Sequence, residues 1–283
     1  MTFGEWAVRL RYRYVPDHIV GELLGRRWMD NVIPAALLIA LATTLITTIP
    51  NFTSLGNLSD TSRQIGEFGL IVIGMTVVMV GGGIDLSVGS NFALANLTAL
   101  ALINVAKWPV AAAIAATLCV GALVGLANGL LIGVLRLRAF LTTLVMLTLV
   151  RAIVEFLLQI YSIRIATGDV ESDAWDFVGS GSVLGVPVSF LVLISIAVVA
   201  HVVLTRLRIG WRIMAVGGSR RAAYNAGIPV RATVCLTYVV SGLLTGLAGI
   251  LYASRLSGAG PDTGLGLELN VVTAALLGGN CVC

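Results

Sequence analysis

The sequence predicts an all-α protein, a polytopic membrane helix bundle with about eight spans. Three observations carry this. Of 283 residues, 58% are hydrophobic and 11% charged, against about 25% charged in ordinary soluble domains; the mean hydropathy is +0.98. Apolar stretches of the roughly 20 residues that a helix needs to cross a bilayer recur along the chain. Most of them lack the polar face at helical spacing that a soluble helical protein would show.

The chain opens with Arg9, Arg11, Arg13, Arg26 and Arg27, broken by Glu5, Asp17, Glu22 and Asp30, and has no compact apolar core with a small-residue cleavage site. Residues 1–31 therefore read as a cytoplasmic amphipathic segment, not a cleaved signal, and residues 32–283 as the transmembrane domain. Spans are predicted at about 32–50, 65–83, 86–106, 109–134, 140–161, 187–205, 232–254 and 267–279, the last too short to cross comfortably. With the N-terminus in the cytoplasm, the inner segments hold 13 of the 18 basic residues, eight of them from Arg136 to Arg231. The outer ones hold only Arg63, Lys107, Arg164 and Arg255. This is the positive-inside pattern. The loop 162–186, with Asp169, Glu171, Asp173 and Asp176, is expected in the periplasm, and the loop 206–231 in the cytoplasm. The net charge of +4 reflects this topology and not nucleic-acid binding.

Between the second and third spans runs Gly81 to Ser90, Gly-Gly-Gly-Ile-Asp-Leu-Ser-Val-Gly-Ser. The apolar runs on either side carry no charge, so Asp85 is a lone carboxylate where membrane helices begin, end or break. Charges in the hydrocarbon layer are costly and mark pathways. Irregular backbone, which Gly82, Gly83 and Gly89 permit, is tolerated there only if packed in protein or lining a cavity. The pattern describes a membrane protein that moves something. Two readings of Asp85 stand: a cap for a helix opening at Leu86, with its carboxylate near the amides of Ser87 and Val88, or a gate on the solute route.

In the fourth span Gly121, Gly125, Gly129 and Gly133 share a face, and the seventh repeats the device with Gly242, Gly246 and Gly249. Both are expected to be close helix contacts. In the fifth, Arg151, Glu155 and Gln159 are spaced by four; they form either an internal pair of Arg151 with Glu155 or a polar lining.

Several chemistries are excluded. The single lysine, Lys107, lies outside any Gly-x-x-x-x-Gly-Lys-Ser/Thr context, so the chain has no phosphate-binding loop. His18 and His201 are the only histidines, and neither a Gly-x-Ser-x-Gly elbow nor a Gly-x-Gly-x-x-Gly fingerprint occurs. No metal site is expected: Cys119 and Cys235 lie in apolar helices, and Cys281 and Cys283 have no histidine or second cysteine pair nearby.

In the loop 206–231, Ser219 can cap a short helix reaching Ala226, and Gly227 can end it. The segment is a solvated basic loop or a compact element that seats on a partner, with Ala222 and Ala223 inside it. Here the chain resembles the permease subunits of bacterial ABC sugar importers of the ribose, galactose and xylose type. The likeness rests on Gly74-Met-Thr with Gly82-Gly-Ile-Asp-Leu-Ser-Val-Gly, on Asn128-Gly-Leu with Thr142, Thr143 and Arg151, on Ala215-Val-Gly-Gly through Gly227-Ile, on Tyr238 through Gly249, and on Gly266-x-Glu-Leu through Gly279.

The resemblance implies a permease domain that pairs with a second permease copy or homologue in the bacterial inner membrane. A periplasmic sugar-binding protein would deliver a monosaccharide. A separate ATP-binding cassette ATPase, which binds the ATP, would grip Gly218, Ser219, Ala222, Ala223 and Gly227. The chain itself would hold no cofactor. Asp85, Ser87, Gly82, Gly83, Gly89, Arg151 and Glu155 become the expected translocation or gating residues. Relatives run on beyond the Gly278-Gly279 position, so the C-terminal spans of the family are expected to be missing. Two rivals remain: an ion-coupled secondary transporter with Glu155, Asp85 and Glu67 as its relay, and an ABC permease for another solute, such as a branched-chain amino acid or a signalling furanone. An intramembrane enzyme lacks a nucleophile and base.

Overall fold

The computed structural model describes residues 29–167 and 172–279. The expected cytoplasmic segment 1–31 is almost wholly outside them, as are Asp169, Glu171, Cys281 and Cys283. Two compact units are present, Met1–Leu58 and Ser59–Cys283. The first contains helix α1 (Met29–Thr48), which exposes Leu37, Leu38, Ile39 and Leu41. Its Thr43, Thr44, Thr47 and Thr48 hydroxyls donate to carbonyls one turn back, which satisfies polar groups locally on an apolar helix.

In the second unit, α2 (Leu55–Val80, begun in the first) leads to α3 (Val88–Leu100), extended by a π-helical turn at Ala101–Val105. Then come α4 (Val110–Gly129), with a second π-helical turn at Leu130–Val134, and α5 (Ala139–Thr167). The short α6 (Asp173–Ser180) precedes a hairpin of β1 (Ser182–Val183) and β2 (Val186–Pro187). The chain continues through α7 (Val188–Arg206), α8 (Arg208–Gly218), α9 (Arg220–Asn225), α10 (Val230–Leu256) and α11 (Leu267–Leu277). Six of these segments are long and apolar enough to cross a membrane: Leu55–Val80, Val88–Val105, Val110–Val134, Ala139–Ala166, Val188–Arg206 and Val230–Leu256.

Of the eight predicted spans, the first and last meet the shorter apolar helices Ala35–Thr48 and Leu267–Leu277. The other six agree within a few residues, except that α2 starts ten residues before position 65. Its first turns carry Asn57, Asp60, Ser62 and Arg63, so they are helical without being apolar. Hydropathy registers only the stretch that lipid or protein covers.

The glycine face of α4 is buried against α10. A Cβ on Gly121 would strike the Gly242 carbonyl at 2.6 Å, and one on Gly125 would collide with the Tyr238 carbonyl. Further along, Gly129 would meet Cys235 Cα at 2.8 Å and Gly133 the Arg231 carbonyl at 2.8 Å. One glycine per turn thus meets α10 at successive turns in antiparallel register, with backbone against backbone. Asn91 of α3 extends its amide to the carbonyls of Gly121 and Gly242, both at 3.4 Å. α10 also packs along α3, where Gly249 leaves no room for a Cβ beside Ala95 and Phe92.

Gly125→Val drives two methyl groups into the Tyr238 backbone. Overpacking of this kind costs about 1–3 kcal/mol. A fall in the thermal midpoint of the detergent-purified chain is expected, larger than for Gly218→Val, where a Cβ meets nothing within 4 Å.

Candidate functional site

α2 ends in a Schellman motif. Gly83 N–H donates to the Val78 carbonyl at 3.0 Å and Gly82 N–H to that of Met79 at 2.9 Å. Gly82 has φ +75°, the left-handed conformation that glycine adopts without a Cβ penalty. Six residues later α3 begins, with Ser87 as its N-cap residue.

Inside this break sits Asp85, 2% exposed. Its Oδ1 accepts the Ser87 hydroxyl at 2.6 Å, the Ser87 amide at 3.1 Å and the Asn128 amide at 3.4 Å. Its Oδ2 accepts the Ser241 hydroxyl at 3.0 Å. Asn128 also donates to Ser87 Oγ at 2.8 Å. The carboxylate therefore joins the break to α4 and α10. It takes the Ser87 amide as expected of a cap, but not that of Val88, because the helix opens two residues later than position 86. The neighbouring Ile84 carbonyl receives the Tyr238 hydroxyl and the Thr143 hydroxyl, each at 3.3 Å. Gly83 is packed against that tyrosine: a Cβ there would lie 2.5 Å from Tyr238 Oη. A charge at the centre of a membrane helix costs about 2.5–3.5 kcal/mol, while a hydrogen bond to a charged group contributes about 1.5–3 kcal/mol. Four donors on one carboxylate are enough to hold it there.

The break also touches the segment that carries the arginines. A Cβ on Gly82 would lie 3.2 Å from Gly217 Cα of α8, and one on Gly217 would strike the Val80 carbonyl. α9 follows directly, with Ser219 as its N-cap accepting the Ala222 amide at 3.3 Å and Gly227 closing the turn at φ +78°. Ala223 is 3% exposed and packs with Val78, Ile132, Val216, Val234 and Tyr238. Ala222, Tyr224, Gly218, Ser219 and Gly227 are exposed. Ala223 thus anchors the element, and its neighbours form the outward face.

A second interruption, residues 257–266, follows α10. It begins with Ser257 in the left-handed conformation. Its Gly258 carbonyl accepts the Asn96 amide at 3.2 Å, and its Gly264 packs its backbone on Gly89. Asn96 and Gly89 are about 10 Å apart along α3 at 1.5 Å per residue, so the loop turns back alongside the helices. Arg151, near the midpoint of α5, donates from Nη1 to the Thr263 carbonyl at 2.8 Å and that of Pro261 at 3.4 Å. It makes no ion pair with Glu155, which is exposed on α5 with Gln159. Glu155 and Arg151 are adjacent in the helical pattern, but the free carbonyls of a non-helical loop compete better for the guanidinium than an exposed carboxylate.

Beside this loop is an open cavity, lined in part by Glu67, Arg255, Phe92, Tyr252, Thr263 and Gly264. Arg255 Nε and Nη2 grip Glu67 Oε1 and Oε2 at 2.7 and 2.9 Å. The short helix α6 closes against the same end of α10: the Trp175 carbonyl accepts the Ser254 hydroxyl at 2.5 Å.

Sequence reasoning did not find Ser241, Tyr238 or the Glu67–Arg255 pair as site members. A signal for the first was present. Thr233, Thr237, Ser241 and Thr245 recur every four residues on α10, and all are buried. A polar stripe of this kind in a span marks the face turned towards protein.

Six membrane-length helices, an interruption between α2 and α3, and a second loop that packs Gly264 on Gly89 of α3 beside an open cavity define a multi-pass membrane protein built to pass a solute. The chain belongs to the family described as branched-chain amino acid transport system / permease component, whose model matches residues 57–282. Ribose import permease protein RbsC of Escherichia coli strain K12 is 35% identical over 250 residues, 88% of this chain and 76% of that protein. Galactofuranose transporter permease protein YtfT of the same strain is 35% identical, covering 79% of this chain and 64% of its own. L-arabinose ABC transporter permease protein AraH of Azospirillum brasilense is 35% identical, covering 85% and 69%. These relatives are permease subunits of sugar ABC importers. No solved structure matches.

Asp85→Ala takes the acceptor from the Ser87 amide and from the Ser87 and Ser241 hydroxyls, at about 1–3 kcal/mol for each buried group, while Asn128 keeps its bond to Ser87 Oγ. Asp85→Asn keeps an acceptor in place. The thermal midpoint of the purified chain is expected to fall much further for Asp85→Ala than for Asp85→Asn; equal falls would show that the carboxylate does not hold the break.

Proposed function

We propose that this chain is the membrane subunit of an ATP-driven importer that carries a monosaccharide across the bacterial inner membrane. The likeness to permeases named for ribose, galactofuranose and L-arabinose, at 35% identity, carries this reading. The family description names branched-chain amino acids, but the relatives that span most of this chain are named for sugars.

Energy comes from a separate ATPase, since the chain has no phosphate-binding loop. The arginine-rich end, with Arg136, Arg138, Arg206, Arg208, Arg212, Arg220, Arg221 and Arg231, lies in the cytoplasm, as does the N-terminus. The cavity end faces the periplasm and receives the sugar from a binding protein. A second permease copy or homologue completes the pore and covers Glu155 and Gln159, whose exposure on a membrane-length helix is otherwise costly. No cofactor is bound by this chain.

Coupling requires an element that both partners bias. α9 presents Ala222 and Tyr224 to the ATPase, with Gly218, Ser219 and Gly227 shaping its ends. Displacement of α8 reaches the interrupted segment through the contact of Gly217 with Val80 and Gly82. There Gly82, Gly83, Asp85, Ser87 and Gly89 transmit it, and Arg151 carries it on to the second loop. An ion-coupled relay through Glu67, Asp85 and Glu155 has less support. Glu67 is paired with Arg255, Asp85 is enclosed by donors, and no hydrogen bond joins the three.

The test is uptake of labelled ribose, arabinose and galactose by cells expressing this chain with the ATPase and binding protein encoded beside it. Uptake is expected to require all three proteins and to survive an uncoupler while ATP is held constant; loss under that condition overturns the reading. Tyr224→Ala, at 73% exposure, removes an interface aromatic and is expected to weaken ATPase co-purification about tenfold without lowering membrane yield.

A further inference from the structure

The Glu67–Arg255 pair has more hydrogen-bonding capacity than the pair itself uses. Arg255 engages its partner through Nε and Nη2. Its Nη1 is not used in that pair, and Arg255 lines the open cavity. Each Glu67 oxygen takes one of the two or so donors it can accept. Arg255 also lies 5.6 Å from the Tyr252 ring centroid. That ring meets Phe92 edge to face at 5.0 Å. Phe68 and Gln64 line the same cavity.

A clamp between α2 and α10 would account for the pair alone. It does not account for the pair's place on an open wall, beside two aromatic faces and opposite the carbonyl-bearing loop 257–266. The loop itself lines the same cavity from Gly258 to Gly264.

We infer that the cavity bounded by Glu67, Arg255, Tyr252 and Phe92 is a binding subsite for a neutral polyhydroxylated solute. The proposal rests on the importer reading and specifies how this chain itself recognises its cargo. The planar ion pair offers a donor and acceptors side by side, which suits two adjacent hydroxyl groups. Tyr252, the less buried of the two rings, offers apolar surface to the C–H groups of a sugar ring, with Phe92 packed behind it. An anion finds the one cation already neutralised by Glu67. The lining also holds the Asp262 carboxylate, so an amino acid's carboxylate meets two acids and could bind the one cation only by displacing Glu67 from it.

The experiment uses the full chain in lipid nanodiscs and saturation-transfer NMR with D-ribose, D-galactose and L-leucine at high millimolar concentration. Transfer to the sugar ring protons is expected, with no displacement by L-leucine. Tyr252→Leu and Arg255→Lys each reduce that transfer about tenfold, the fold-change of a lost charge-assisted or stacking contact. Should either unfold the chain, Gln64→Trp blocks the cavity from its exposed rim without disturbing packing, and abolishes the signal. Displacement by leucine, or equal transfer in wild type and Gln64→Trp, overturns the subsite. So does the absence of transfer in the wild type. In the reconstituted importer the same variants raise KM for the sugar. Uptake with unchanged KM sinks the subsite and leaves the importer standing, whereas sugar binding without ATP-dependent uptake does the reverse.

Discussion

A single buried carboxylate ties the break between α2 and α3 to the helices packed around it. Asp85 takes hydroxyl and amide donors from its own turn, from α4 and from α10. If it were left unanswered, its burial would favour unfolding of the break or its exposure to water. With these donors in place, it fixes where α2 stops and α3 starts and ties both to the two helices of the glycine seam. The seam matters for the same reason. Only because α4 and α10 approach backbone to backbone can Asn128 and Ser241 reach one carboxylate from opposite helices.

The glycines and the polar groups therefore form one device. Gly121, Gly125, Gly129 and Gly133 remove side-chain volume along α4, and α10 fills it. Gly82 and Gly217 do the same between the break and α8. Closeness strengthens the short hydroxyl bonds and excludes water from them.

Much of this was legible in the sequence, for identifiable reasons. Long uncharged runs reveal spans, since lipid imposes a composition. Asp85 is conspicuous for being alone. Ser219 and Gly227 mark the ends of α9 through local chemistry that needs no tertiary information. What escaped was long-range. Ser241 lies 156 positions from Asp85, and Arg255 lies 188 from Glu67; nothing in either neighbourhood states the pairing. α8 was read as part of a loop because Arg208 and Arg212 hide its periodicity among the orientation charges. Of the two readings of Arg151, the pair with Glu155 followed from helical spacing, but carbonyls at Pro261 and Thr263, supplied by a loop over a hundred positions away, took the guanidinium.

The placement of charge follows a common rule. Several of the polar side chains buried in the spans adjoin backbone that is not helical, while others, such as Asn91 and Thr117, bond to carbonyls within helices. Asp85 and Tyr238 serve residues 81–87; Arg151 and Asn96 serve residues 257–266; Arg255 and Glu67 flank the cavity beside that loop. A helix satisfies its own amides and carbonyls, so it needs no polar side chains to cross a membrane. An interruption exposes them and must be paid for by neighbours. The interruptions therefore require polar neighbours, and the second packs Gly264 on Gly89 in the first turn of α3. α8 meets the first interruption at Gly82 and the cavity adjoins the second, so much of the buried polarity of this chain gathers at these two places.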